Sequence, residues 1–228
     1  MNEQQYIEAQ RSLFRTLELG DANTTIVPLR KTYANVAMCL TIVHLLEEKL
    51  AITISKDIIR PLRQIAMHHH WYPVHDLHIT LKNIRSAKPR RLYTDQEIRQ
   101  AITAVEQTSR RLQPLDFDIY GPICLPTSII LQAYGTLKHR DAILLLDREL
   151  ELAGIPDDKS YASNEVFIGN ITVCRFTSAP TAALRKTVAT YEEKYLGMYR
   201  VATIQLIQCD EICSYESRCV HSSVILGN

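Results

Sequence analysis

The sequence predicts an α+β fold: bilobal, two pseudo-symmetric lobes with antiparallel sheets facing a central cleft and helices outside. Three observations predict it. Apolar residues recur at helical spacing in some stretches and at strand spacing in others, and the two kinds are interleaved. Several strand-like runs follow one another as hairpin-like pairs, which argues against a doubly wound parallel sheet. Finally, the run His78-Ile79-Thr80-Leu81-Lys82-Asn83-Ile84 is echoed by Asn170-Ile171-Thr172-Val173-Cys174-Arg175-Phe176, 92 positions later (170 − 78).

The elements follow in order. Tyr6, Ile7, Leu13, Phe14 and Leu17 mark an N-terminal amphipathic helix over 3–18 that packs on the body. Residues 34–43 predict a strand. Residues 56–67 predict a helix, with Pro61 tolerated only in its first turn. A second strand spans 77–84. Thr94 and Glu97 form a capping box that opens a helix to about residue 112, closed by Pro114. Strands at 115–120 and 128–134 come next. Ile143, Leu146, Leu150 and Ala153 line a helix face that ends at Gly154. A polar loop fills 154–165, and a strand covers 166–176. Pro180 opens a helix with Leu184, Val188, Tyr191 and Tyr195 on its buried stripe. Strands at about 200–209 and 218–226 complete the chain. With no long linker or low-complexity stretch, residues 1–228 read as a single bilobal domain.

Bulk properties narrow the function classes. Of the 228 residues, 46% are hydrophobic and 22% charged, which excludes a disordered chain. A net charge of +1 creates no global pull toward nucleic acid or membrane. No apolar run approaches the roughly 18 residues of a membrane span, and the N-terminus carries no signal-peptide pattern. A cytoplasmic protein with no membrane partner is expected. Its six cysteines (Cys39, Cys124, Cys174, Cys209, Cys213 and Cys219) are then expected as thiols. The spacing of the last three matches no usual zinc pattern, so they read as buried or strand-paired thiols.

Strand geometry gives the repeat its chemical meaning. Residues i and i+2 share a face. His78 and Thr80 therefore project together, and so do Asn170 and Thr172. If the two strands lie side by side, all four side chains line one cleft. Threonine hydroxyls donate to non-bridging phosphate oxygens, and a histidine exchanges protons near neutral pH. Arg175 stands at an odd offset from Asn170 and is expected to face away, as a structural ion-pair partner.

In these residues the chain resembles the two-histidine (2H) phosphoesterases, which include RNA 2′,5′-ligase-like proteins and cyclic nucleotide phosphodiesterases. That superfamily carries one H-x-T/S motif per lobe, the second often extended to H-x-T-x-x-R. The first is intact here as His78-Ile79-Thr80. The second reads Asn170-Ile171-Thr172-Val173-Cys174-Arg175, with asparagine in the histidine position. The resemblance covers most of residues 34–226. It implies a phosphodiesterase acting on a nucleotide or RNA-end substrate, such as a 2′,3′-cyclic phosphate or a 2′,5′ linkage, without cofactor.

Asparagine cannot serve as acid or base, and such help is worth typically about 10²–10⁴-fold. Three routes stay open. His78 acts alone while Asn170 orients phosphate or water. Another histidine substitutes: His75, one of His68–His70, or His221 of the His221-Ser222-Ser223 run. Or the module binds nucleotide or RNA without cleaving it.

Further contacts are expected around the motif. Lys82 continues the His78–Thr80 face and is the best single substrate-binding candidate. It begins a basic run of Lys82, Arg85, Lys88, Arg90 and Arg91, with no acid over 82–91, that offers an RNA contact. Trp71 and Tyr72 precede the motif and offer a surface for base stacking, although packing under the loop is the commoner use. His68, His69, His70, His75 and His78 are dense, yet no carboxylate or cysteine stands at zinc-like spacing, so no metal is expected.

Overall fold

The structure is a computed structural model that describes residues 1–18, 24, 37–89, 93–158 and 162–227. It contains α1 (Glu3–Leu17), β1 (Ala37–Leu45), α2 (Glu48–Ile54), α3 (Arg60–Ile65), β2 (His70–Trp71), β3 (His78–Pro89) and α4 (Asp95–Ser109). β4 (Leu115–Cys124), β5 (Ser128–Gly135), α5 (Leu137–Leu152), β6 (Gly169–Arg175) and α6 (Ala182–Tyr191) follow. β7 (Gly197–Val201), β8 (Thr203–Asp210) and β9 (Cys219–Ile225) end the described chain.

Two antiparallel sheets result. One has the order β3-β1-β8-β9, the other β2-β6-β5-β4-β7. The fold is α+β with two antiparallel lobes. The lobes are not consecutive halves of the chain, however. β8 and β9 return from the C-terminus to join β1 and β3, while β2 leaves the first half to pair with β6. Leu40, Ile42 and Ile79 of the first sheet share one apolar core with Phe117, Leu131 and Ile171 of the second. Neither sheet therefore buries its inner face alone.

Local signals explain most elements. Asn2 and Gln5 close a capping box on α1, and Thr94 and Glu97 close one on α4. α1 buries Tyr6, Gln10 and Phe14 against the second sheet. The Gln10 side chain extends that ladder: its Nε2 donates to the Gly135 carbonyl at 2.7 Å, and its Oε1 accepts the Gly135 N–H at 3.0 Å. Gly154 ends α5 at φ 75°, a conformation that suits glycine.

Three expectations need correction. The helix expected at 56–67 starts at Glu48, and Pro61 lies well inside it. A π turn over Ser55–Ile59 joins α2 to α3, and the Arg60 N–H reaches back to the Ser55 carbonyl. Proline lacks an N–H and crowds the carbonyl four residues earlier, and the widened turn accommodates both defects. Next, the strand expected at 200–209 is broken at Ala202, so that β7 joins one sheet and β8 the other. Tyr195 lies beyond α6 and is half exposed, its hydroxyl donating to Asp118 at 2.8 Å. Of the strand expected at 34–43, residues 37–43 lie in β1, and residues 34–36 lie outside the described set.

Candidate active site

The site is built where β3 and β6 meet. Along β3, His78 and Thr80 point to one side and Ile79 is fully buried on the other. The ladder to β1 then skips a residue, since Val43 pairs with Thr80 and its neighbour Ile42 pairs with Lys82. Leu81 is the extra residue of a bulge, which resets the alternation. β6 repeats the device. Its ladder to β5 skips Val173, with Ile130 opposite Thr172 and Ile129 opposite Cys174. Each motif strand thus presents its first, third and sixth residues: His78, Thr80 and Asn83 from β3, and Asn170, Thr172 and Arg175 from β6. All six line one cavity of ≈ 150 Å³.

The bulges overturn two expectations. Lys82 is carried off the cleft face and is 1% exposed, ion-paired with Asp147 of α5 and with Asp157. It holds the fold and does not line the cavity. Arg175, expected to face away, lines it. One guanidinium nitrogen donates to Thr127 Oγ1 at 3.3 Å, while Nε has no hydrogen-bond partner among the described residues. An arginine so placed suits an anion.

The other candidates separate. Tyr72 lines the cavity, and burial pushes its phenol up to about 12, against the pull of Arg175. It is therefore a donor at any ordinary pH. Trp71, its neighbour, points the opposite way and is buried in the core. Its Nε1 donates to the Ala66 carbonyl at 2.8 Å. His75 is exposed and packs edge-on against Tyr215 at 5.6 Å between centroids. Neither Trp71, His75 nor His221 lines the cavity. Of the basic run, Arg85 bonds to Glu97 at 2.7 Å and to the Pro156 carbonyl at 2.6 Å. Arg90, Arg91 and the side chain of Lys88 lie outside the described residues. No group of three His, Cys, Asp or Glu side chains able to hold a metal ion occurs among the described residues. His69 and His70 are instead pushed toward the neutral form, chiefly by burial.

His78 is anchored through one ring nitrogen. Nδ1 lies 2.7 Å from the Asp76 carbonyl, which only accepts, so Nδ1 carries a proton. Nε2 is left for the cavity, whose lining also includes a residue that sequence reading missed, Cys213. Burial alone lowers the His78 pKa. The hydrogen bond and charge of Cys213, with the Asp76 carbonyl, outweigh burial and hold it above its usual value. Cys213 moves the opposite way. A hydrogen bond from Cys209 is the largest cause, burial opposes it, and His78 and Arg218 add to the fall. Nothing in the sequence pointed to Cys213, because its partners come from a different strand and from the turn that follows it.

Beside this cavity lies a second, of ≈ 290 Å³ and more apolar. It shares Thr80, Asn83 and Asn170 with the first and is walled by Leu13, Leu17 and Phe167 among others.

Solved structures share this architecture. TT0787 of Thermus thermophilus matches over 82% of this chain and 97% of its own, at 17% identity and a TM-score of 0.60. E. coli LigT complexed with ATP matches over 84% of this chain and 99% of its own, at 12% identity and a TM-score of 0.53. The same protein complexed with 3′-AMP gives 85%, 99%, 13% and 0.52. No family model matches the sequence, and no curated protein matches it closely enough to count. The chain has the LigT-like fold.

Proposed function

We propose that this protein is a phosphodiesterase acting on a nucleotide or RNA-end diester of the 2′,3′-cyclic or 2′,5′-linked type. One observation carries the reading: the polar faces of two related strands, with a histidine, two threonines and an arginine, converge on one small cavity. Thr80 and Thr172 donate to non-bridging oxygens, and Arg175 balances their charge. His78 enters protonated, with the Cys213 sulfur beside it. Water attacks phosphorus, the bond to the leaving oxygen breaks, His78 Nε2 gives that oxygen its proton, and the proton released by the water returns to His78. Asn170 positions the water or the phosphate. The neighbouring apolar cavity receives the base, in keeping with the nucleotides bound in LigT structures.

A second reading, a nucleotide- or RNA-binding module that does not cleave, is favoured by Asn170 alone. A turnover assay with 2′,3′-cyclic nucleotides and 2′,5′-linked oligonucleotides separates the two. The enzyme reading expects turnover by the wild type and a gain of about 10²-fold in Asn170→His, the size of one acid–base partner. Saturable nucleotide binding with no turnover in either protein supports the binding module.

A further inference from the structure

Beside the motif histidine sit three thiols that no step of phosphodiester cleavage consumes. Cys39 of β1 and Cys209 of β8 occupy directly paired positions, with 3.4 Å between their sulfurs. Cys213 closes the turn after β8, its N–H donating to the Asp210 carbonyl at 3.1 Å. Its thiol shares the lining of the small cavity with Cys209 and His78. All three cysteines and His78 line the same cavity, and none of the cysteines is in a disulfide.

The surrounding chain is arranged to hold Cys213 there. Among the described residues it is the one non-glycine at positive φ, 55°. Such a backbone is strained for a residue with a side chain and persists only where its surroundings enforce it. Arg218 does so, donating from Nη2 to the Cys213 carbonyl at 2.9 Å and to Asp76 Oδ1 at 3.0 Å. Asp76 in turn anchors His78 through its own carbonyl. One guanidinium thus ties the thiol's loop to the histidine's loop. The Asp210 carboxylate fixes the rest of the turn through the N–H groups of Ile212 and Ser214. A cysteine that merely fills space needs none of these restraints.

We infer that Cys213 is an oxidation site for hydroperoxides and that Cys209 is its resolving thiol. The site goes beyond the phosphodiesterase reading and does not depend on it. A thiolate is the reactive form, and the positive charges of His78 and Arg218 favour it, as does the fall in the Cys213 pKa. In the first step the Cys213 sulfur attacks one peroxide oxygen. The S–O bond forms, the O–O bond breaks, and the departing oxygen takes a proton from the His78 imidazolium. Cys213 is oxidised by two electrons to a sulfenic acid, and the hydroperoxide is reduced to water or an alcohol. In the second step the Cys209 sulfur attacks the sulfenic sulfur. The S–S bond forms, the S–O bond breaks, and hydroxide leaves as water with the Cys209 proton.

The test is peroxide oxidation of the folded wild-type protein, quenched at intervals and mapped by peptide mass spectrometry. Exposed Cys219 is the internal control. Expected is loss of the Cys213 thiol at least about tenfold faster than that of Cys219, with a Cys209–Cys213 linked peptide as product. Cys209→Ser should instead leave Cys213 carrying added oxygen. Oxidation of Cys219 first, or a Cys39–Cys209 bridge formed while Cys213 stays reduced, overturns the inference. Neither result touches the phosphodiesterase reading, which is measured by turnover.

Discussion

At the scale of single residues, His78 and Cys213 set each other's charge. The raised His78 pKa means that folding favours the imidazolium. That contribution to stability is full below the usual value of 6.5 and is lost as pH rises through the folded value. The lowered Cys213 pKa contributes above the usual value of 9.0 and is lost as pH falls through the folded value. Between the two folded values both groups are charged. A reaction that needs protonated His78 therefore has its alkaline limb above pH 6.5. Cys213→Ser should move that limb down, because burial then acts on His78 with less opposition. A pH–rate profile reads the shift, and an unmoved limb contradicts the pairing. Lys82 makes a different point. Lys82→Ala should lower stability by about 2 kcal/mol, below the roughly 3–5 of a fully buried pair because Asp147 is 37% exposed. Chemical denaturation measures this, and a loss of nucleotide binding with stability unchanged would restore Lys82 to the cleft. The His-x-Thr spacing was legible because strand alternation is a local rule. The exchange of Lys82 for Asn83 and Arg175 was not, since a bulge depends on how the partner strand pairs.

At the scale of elements, the sequence spoke clearly wherever a few neighbouring residues decide the outcome. The Thr94–Glu97 box and Gly154 marked helix ends that the structure keeps. Pro61 misled, because the π turn that admits it has no composition of its own. Gly121 shows a constraint that only packing reveals. It is the extra residue of the bulge in β4, and a Cβ there would lie 1.7 Å from the Tyr191 carbonyl oxygen at the end of α6. A backbone atom cannot swing aside. Gly121→Ala is expected to reduce unfolding free energy by about 3 kcal/mol, seen as a lower urea midpoint. A loss under about 0.5 kcal/mol would show that α6 does not press on β4 as described.

At the scale of the whole molecule, two lobes were readable from one repeated strand, but their membership was not. Pairing β1 with β8 joins residues such as Cys39 and Cys209 from opposite ends of the chain, and no local pattern encodes that choice. The same return of the C-terminus delivers Cys213 to His78, so the least legible part of the fold completes the site. The architecture brings the two motif strands onto one cavity, and residues at single positions decide what that cavity can do. The most direct measurement is steady-state turnover of a 2′,3′-cyclic nucleotide by wild type and by His78→Ala. Turnover that falls by about 10² or more in the variant is the expected result. Turnover that His78→Ala leaves unchanged would place the chemistry elsewhere and contradict the role given to this site.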